Sequence, residues 1–229
     1  MEINEFGQLV GTPIDNWAPR HKPMATELLG RFCDLMPLDA DLHGPVLFDS
    51  LVTHGQHDLF TYMHFGPFET SEIFVNWLKN GDSNEVCYAV IDRRDDKVGG
   101  FISLHNIDME HGVVEIGVFL SKALHSTAAA TEMLYFLLCE VFDRFNYRRC
   151  QWRCSSFNHK AVKFATRIGF VFEGVFRQFY VLRGRNCDVS WYSILDSEWP
   201  AIRPRLEKWL APSNFNANGQ QITPLDKIM

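Results

Sequence analysis

Apolar positions along this chain change their period twice, and each change marks a new kind of element. VCYAVI (86–91), GGFISLHNI (99–107) and VVEIGVFL (113–120) are short apolar runs separated by the charged turns DRRDDK and MEHG, which predicts an antiparallel meander of strands. From 131 onward Leu134, Leu137, Leu138, Val141, Phe142 and Phe145 recur at three and four, the stripe of an amphipathic helix, with Glu140 and Arg144 paired on its other face. RRCQWRC (148–154) then reads as a strand again, so strand, helix and strand make a right-handed crossover whose two strands run parallel. A second helix follows: Asn158 is its N-cap, Ala161, Phe164, Ala165 and Ile168 its stripe, and Gly169 its end, where a left-handed C-cap needs no Cβ.

The flanks are less regular. An irregular, Pro-rich lead covers 1–24, a short apolar segment surrounds Leu28 to Leu35, and helices are expected from about Asp41 to Val52 and from Glu69 to Lys79. Downstream come a β-hairpin turning at RGRN (183–186), a Trp-rich helical segment interrupted by Pro204, and a polar tail from 211 to 229. These readings imply one α/β (α+β) domain over 25–210 with a mixed sheet.

Composition removes several function classes. The hydrophobic content of 46% over 229 residues suits one well-filled core, and a net charge of −6 argues against a nucleic-acid partner, which needs clustered Lys and Arg. MEINEFGQLVG lacks a basic and apolar leader, and the longest apolar run, MLYFLLC (133–139), is far short of a membrane span, so a cytoplasmic protein with no membrane partner is expected. Six scattered cysteines without a C-x-x-C pair suggest reduced thiols. His54, His57 and His64 fall among Phe60, Tyr62, Phe65 and Phe68 at spacings that fit no metal motif, so no metal is expected.

LHSTAAATEM (124–133) carries the first chemical signal. A strand that ends and at once opens a helix leaves N–H groups pointing out of the helix N-terminus, an anion site if the side chains are small, as Ser126, Ala128, Ala129 and Ala130 are. Taken alone, the same alanines are better explained by helix propensity and close packing on a sheet. The segment resembles the acetyl-CoA-binding motif of the GNAT N-acetyltransferase superfamily, in which an arginine- and glycine-bearing loop leads into A-T-E. His125, Ser126, Thr127 and Ala128 stand for the loop and Ala130, Thr131 and Glu132 for the A-T-E. SSFNHKAVKFATRIGFVFEGVFRQ (155–178) is similar to the N-x-x-S and G-F-x-x-E-G-x-x-R signature of the ribosomal-protein N-terminal acetyltransferase (Rim-type) branch, and DVSWYSILDSEW (188–199) to its closing strand. The likeness spans 86–199.

The resemblance implies a GNAT fold: a mixed sheet of about seven strands flanked by helices, splayed between the fourth and fifth core strands to admit acetyl-CoA as co-substrate, with no metal. It places the thioester carbonyl against Gly117, Val118, Phe119 and Leu120, with Gly117 suited to a bulge. It places the CoA phosphates on His125 to Thr131, with Ala129 among them, and the pantetheine arm beside Asn158. Lys160, Lys163 and Arg167 form a basic stripe from which Lys163 is the candidate phosphate contact. The chain departs from the pattern at His125, Ser126 and Ala128, which replace the arginine and both glycines, at Ala161 for serine, and at Ala165 for a tyrosine that protonates the departing thiolate. Ser126 is expected to keep an ordinary φ, and His125 to add charge below a pKa near 6.5.

Amide formation needs the amine as free base and steady donors for the oxyanion. An α-amine with pKa of about 8 is roughly a tenth neutral at pH 7, a lysine near 10.4 less than about one part in a thousand. Glu115 interrupts an otherwise apolar strand and is the candidate base; the alternative is a structural acid hydrogen-bonded to Asn106. Asn158 joins it as a candidate active-site residue, and Glu132 reads as a first-turn acid serving the helix dipole. Two functions remain: an N-acetyltransferase acting on a protein N-terminus or a small metabolite, as monomer or homodimer, and a catalytically silent GNAT fold that senses acyl-CoA.

Overall fold

The computed structural model describes residues 1–53 and 56–228, so the expectation attached to His54 lies outside the described residues. Strands β1 (Glu2–Ile3) and β2 (Leu9–Val10) form a small antiparallel ribbon in the lead segment. The main body runs β3 (Leu28–Leu29), β4 (Cys33–Pro37), α1 (Ala40–Phe48), α2 (Ser71–Lys79), β5 (Val86–Asp92), β6 (Lys97–Asp108), β7 (Val113–Leu120), α3 (Ala128–Cys139), β8 (Arg149–Ser155), α4 (His159–Ile168), β9 (Val171–Leu182), β10 (Arg185–Leu195) and α5 (Trp199–Leu210). One eight-stranded sheet has the order β3-β4-β5-β6-β7-β8-β10-β9, antiparallel throughout except at β7–β8. The mixed, helix-flanked architecture is the expected one; the extra strands come from 28–37, where two- and five-residue segments are too short to show a period.

Alternation along β7 divides the interior in two. Val114 and Ile116 face a core shared with Met133, Leu134, Leu137 and Leu138 of α3, Ala165 and Ile168 of α4, and Leu206 of α5. Phe119 faces the other side of the sheet, where Leu47 of α1 and Phe74 of α2 form a second cluster with Phe60. A strand with apolar partners on both faces must read as a continuous apolar run, which is why VVEIGVFL is legible.

Helix ends follow side-chain caps. Asp39 accepts from the N–H groups of Asp41 and Leu42 at the start of α1, and Thr70 from Ile73 at the start of α2. Wider π-type turns extend α1 through Asp49–Thr53 and α3 through Glu140–Arg144, so the expected helix to Val52 is continuous but changes its winding. Gly169 closes α4 at φ +130°, as its sequence position predicts. Pro204 does not interrupt α5. It lies inside the helix, where it removes one N–H donor, and burial of Trp199, Leu206 and Trp209 holds the helix together across it.

The flanking segments pack on this body. Trp17 Nε1 donates to the Glu110 carbonyl at 3.0 Å, and Tyr147 Oη donates to the His21 carbonyl at 3.2 Å. At the other end Leu225 is buried, and Asn214 spans the tail by donating to the Trp209 and Thr223 carbonyls.

Two local expectations are corrected. The irregular register between β6 and β7 lies on β6, between His105 and Asp108, where Asn106 adopts φ +47°; Gly117 pairs regularly with Ser103. Glu132 lies beyond the first turn of α3 and serves another purpose. It accepts from the backbone N–H groups of Arg31 (3.1 Å), Phe32 (2.6 Å) and Cys33 (2.8 Å), which fastens the start of β4 to the helix. Removing that carboxylate orphans three donors, one at buried Cys33, so Glu132→Ala should cost about 2–4 kcal/mol, against about 0.3–1 for a dipole effect alone. Urea unfolding of the two proteins at neutral pH separates these values.

Candidate functional site

The site begins where two parallel strands part. β7 and β8 pair only at Val113↔Arg149, Val114↔Cys150 and Glu115↔Gln151; from Ile116 and Trp152 onward they diverge. Backbone alternation decides which groups line the opening. Ser121 N–H donates to the Gly99 carbonyl at 2.8 Å, in register with Gly100↔Leu120, so Phe119 and Gly117 spend their N–H and C=O groups on β6. Val118 and Leu120 turn theirs toward the opening. Of the four expected positions, these two therefore supply backbone to it, and the Leu120 carbonyl already accepts from His125 Nε2 at 3.2 Å.

The opening leads to the N-terminus of α3. Thr127 caps the helix, its Oγ1 accepting from Ala130 N–H at 3.3 Å, while Ala128 and Ala129 N–H, in the first turn, have no intrahelical acceptor. Ser126 is exposed and holds φ +60°, contrary to the ordinary φ expected of it. The left-handed turn that a glycine supports is thus kept by serine at a cost of about 1–2 kcal/mol. Burial, then the charge of Lys160, pushes the His125 imidazole below its ordinary pKa against the opposing pull of the Leu120 carbonyl, so its ring is neutral at pH 7 and adds no charge there.

Other expected phosphate-side residues separate. Ala130 and Thr131 are buried, and Thr131 Oγ1 accepts from Arg167 Nη1 at 2.8 Å. Arg167 also stacks on Trp209, 4.8 Å from the ring centroid, so it leaves the exposed stripe that its spacing suggested. Lys163 is exposed on α4, and it is Lys160 whose charge reaches His125. Asn158 Oδ1 accepts from Ala161 N–H at 3.2 Å as the cap of α4, which leaves its amide Nδ2 for another partner.

Glu115 sits at the fork itself, its side chain 3% exposed. Oε1 accepts from Arg153 Nε at 2.7 Å across the parting strands and lies 3.2 Å from His105 Nε2, while Oε2 accepts from Asn106 Nδ2 at 2.9 Å. Burial raises the pKa of this carboxyl, but the hydrogen bond and charge of His105, the charge of Arg153 and the Asn106 amide outweigh it and hold the group below its ordinary value. Gly117 gives the cluster room, since a Cβ there would lie 2.8 Å from His105 Cε1 and 2.9 Å from Ser103 Oγ.

Sequence reading missed Ser103, His105 and Arg153, although their alternation inside apolar strands was a usable signal. It also missed a wall on the same face: Phe179 packs edge to face on Phe176 and on Trp191, Phe176 lies tilted against Trp191, and Tyr180 meets His64 with ring centroids 4.2 Å apart. Arg183, at the tip of the β9–β10 hairpin, donates from Nη2 to the Gly66 carbonyl at 2.7 Å and to Phe60 O at 3.2 Å, strapping the 60–66 segment over this wall. Among the described residues no group of three His, Cys, Asp or Glu is placed to hold a metal ion, and no helix is long and apolar enough to cross a membrane.

Comparison with known proteins places this geometry. A family model described as an acetyltransferase (GNAT) domain matches residues 37–171. The solved structure of a GCN5-related N-acetyltransferase from Brucella melitensis is 39% identical, covers 94% of this chain and 99% of its own, and superposes with a TM-score of 0.90. "Putative ribosomal N-acetyltransferase YdaF" of Bacillus subtilis (strain 168) is 30% identical over 105 residues, 46% of this chain and 57% of that relative, so the chain spans little more than half of it. "Uncharacterized N-acetyltransferase p20" of Bacillus licheniformis is 28% identical over 145 residues, 60% of this chain and 80% of that one.

The fork makes a pH prediction. Because the folded pKa of Glu115 lies below its unfolded value of about 4.3, its contribution is complete above that pH and is lost as pH falls through the folded pKa. Arg153→Met should cost about 2–4 kcal/mol at neutral pH, toward the lower part of the range for a broken buried pair because Arg153 is 26% exposed. Urea midpoints measured at neutral pH and below the carboxylate range should show the gap between the two proteins closing in acid.

Proposed function

The chain belongs to the acetyltransferase (GNAT) family, and on that premise we propose that it moves an acetyl group from acetyl-CoA to a primary amine. What supports the co-substrate most directly is the continuity between the parted strands and the helix end: an opening lined by Val118 and Leu120 backbone runs into free N–H groups at Ala128 and Ala129. The pyrophosphate lies on those groups, where the helix dipole favours negative charge, and Lys160 adds a positive side chain nearby. The pantetheine arm follows the opening, with the Asn158 amide as a further donor and Val118 N–H toward the thioester carbonyl.

The amine approaches from the face that carries Glu115, between the strapped 60–66 segment and the aromatic wall of Phe176, Phe179 and Trp191. Its nitrogen lone pair attacks the carbonyl carbon and forms the C–N bond as the carbonyl electrons move to oxygen, the oxyanion is held by fixed backbone N–H, and collapse restores the C=O while the C–S bond breaks and the nitrogen gives up its extra proton. Ala165 is buried and brings no acid to the sulfur. A thiol with a pKa near 8.5 leaves as thiolate without one and takes its proton afterwards. For the acceptor we favour a protein N-terminal α-amine: the branch signature at 155–178 and the ribosomal name of the Bacillus subtilis relative point to it, and such an amine needs little deprotonation.

Ala128→Glu puts a carboxylate where the phosphates lie. CoA should raise the melting temperature of the wild type and leave that of the variant unchanged, and wild-type protein should release free thiol from acetyl-CoA when given peptides with a free N-terminus. Stabilisation of the variant equal to the wild type contradicts the phosphate site. Stabilisation of the wild type without thiol release, across peptides and small amines alike, supports the silent acyl-CoA sensor instead.

A further inference from the structure

Three side chains on one face of the sheet form a continuous polar chain. Ser103 and His105 alternate on β6, and Glu115 stands opposite His105 on β7. Ser103 Oγ lies 3.3 Å from His105 Nδ1, and His105 Nε2 lies 3.2 Å from Glu115 Oε1. An ionised carboxylate only accepts, so Nε2 carries a proton; in the neutral ring Nδ1 then holds the lone pair, with the Ser103 hydroxyl as its donor.

The members differ in what they can reach. Glu115 and Ser103 are both buried, but the Glu115 oxygens are occupied by Arg153, Asn106 and His105, whereas the Ser103 hydroxyl contacts the His105 ring, which keeps 20% of its side chain exposed. Its ring and the Ser103 hydroxyl both border Gly117, next to Val118, whose N–H faces the opening.

We propose that His105 Nδ1 is the proton acceptor of the acetyl transfer, reached through the Ser103 hydroxyl, and that Glu115 is a positioning residue that fixes the tautomer and the orientation of the ring. This rests on the acetyltransferase reading above. The ammonium form of the amine gives a proton to Ser103 Oγ as the serine hydroxyl proton passes to His105 Nδ1; the freed lone pair then forms the C–N bond as the carbonyl electrons move to oxygen, collapse restores the carbonyl and breaks the C–S bond while the second nitrogen proton passes to water, and the imidazolium, paired with Glu115, returns its proton to the CoA thiolate. The lowered pKa of Glu115 agrees with the assignment, because a carboxylate held in its charged form is a weak base and a good partner for an imidazolium. The charged groups facing the ring are Glu115 from β7, Arg153 from β8 and Glu85 from the segment leading into β5.

The test is kcat/KM against pH with a peptide α-amine for the wild type, His105→Gln, Ser103→Ala and Glu115→Gln, with CoA-induced thermal stabilisation measured on each. His105→Gln should lose roughly a hundredfold near neutral pH and replace the wild-type acidic limb by one that follows the free amine, with pKa of about 8, so that the defect shrinks near pH 9 as more amine arrives neutral. Glu115→Gln should lose less and move that limb to lower pH, because the imidazolium loses its anion; Ser103→Ala should keep the limb at a reduced rate. An intact limb in His105→Gln, or a larger loss in Glu115→Gln, overturns the assignment while leaving acetyl transfer standing. A wild type that is stabilised by CoA but acetylates nothing overturns the acetyltransferase reading and this proposal with it. Imidazole nitrogen NMR gives a readout without turnover: His105 protonated on Nε2 is expected, and protonation on Nδ1 contradicts the chain.

Discussion

Everything proposed for this protein depends on the place where β7 and β8 stop pairing. Parallel strands normally spend their backbone groups on each other, and an unpaired buried N–H or C=O is costly. Here the pairing ends after Glu115↔Gln151, and the ion pair between Glu115 and Arg153 bridges the strands at the point of parting. Closing the gap is opposed by the helices that each strand feeds, because β7 leads through the 121–127 turn into α3 and β8 leads into α4. The backbone that Val118 and the Leu120 N–H turn toward the gap is thus a consequence of the crossover, available to a ligand that supplies its hydrogen bonds, while the Leu120 carbonyl is already held by His125.

The same fork organises charge. A carboxylate inside a sheet is tolerated only with donors around it, and Glu115 finds them on the two strands beside its own: His105 and Asn106 on β6 and Arg153 on β8. Asn106 reaches it because the register slip on β6 puts that residue at positive φ. Gly117 leaves room for the His105 ring. Structural support for the fork and the polar chain beside it are therefore one network, and a substitution in it tests both.

Much of the fold was legible because its elements carry undiluted periods. β7 has the bounds that its apolar run predicts, and Asn158 and Gly169 delimit α4 as cap residues should. What escaped was set by contacts distant in sequence. Glu132 looks like a helix acid until the turn at Arg31–Cys33 is folded against it, about a hundred residues away in the chain. Ser126 breaks the glycine rule of its loop while keeping the backbone that the rule protects, which composition alone cannot reveal. The candidate site was half visible: Glu115 stood out as a charge in an apolar strand, whereas His105 and Arg153 gain their meaning only from the register that brings them to it.

Amide hydrogen exchange with and without CoA tests the central claim most directly, because it reads the backbone groups on which the account rests. If the fork and the helix end are one binding site, CoA should slow exchange at Val118 and Leu120 and at Ser126, Ala128 and Ala129, and leave the β9–β10 hairpin unchanged. Protection confined to other segments, or a fork whose amides exchange at the same rate with CoA present, would contradict it.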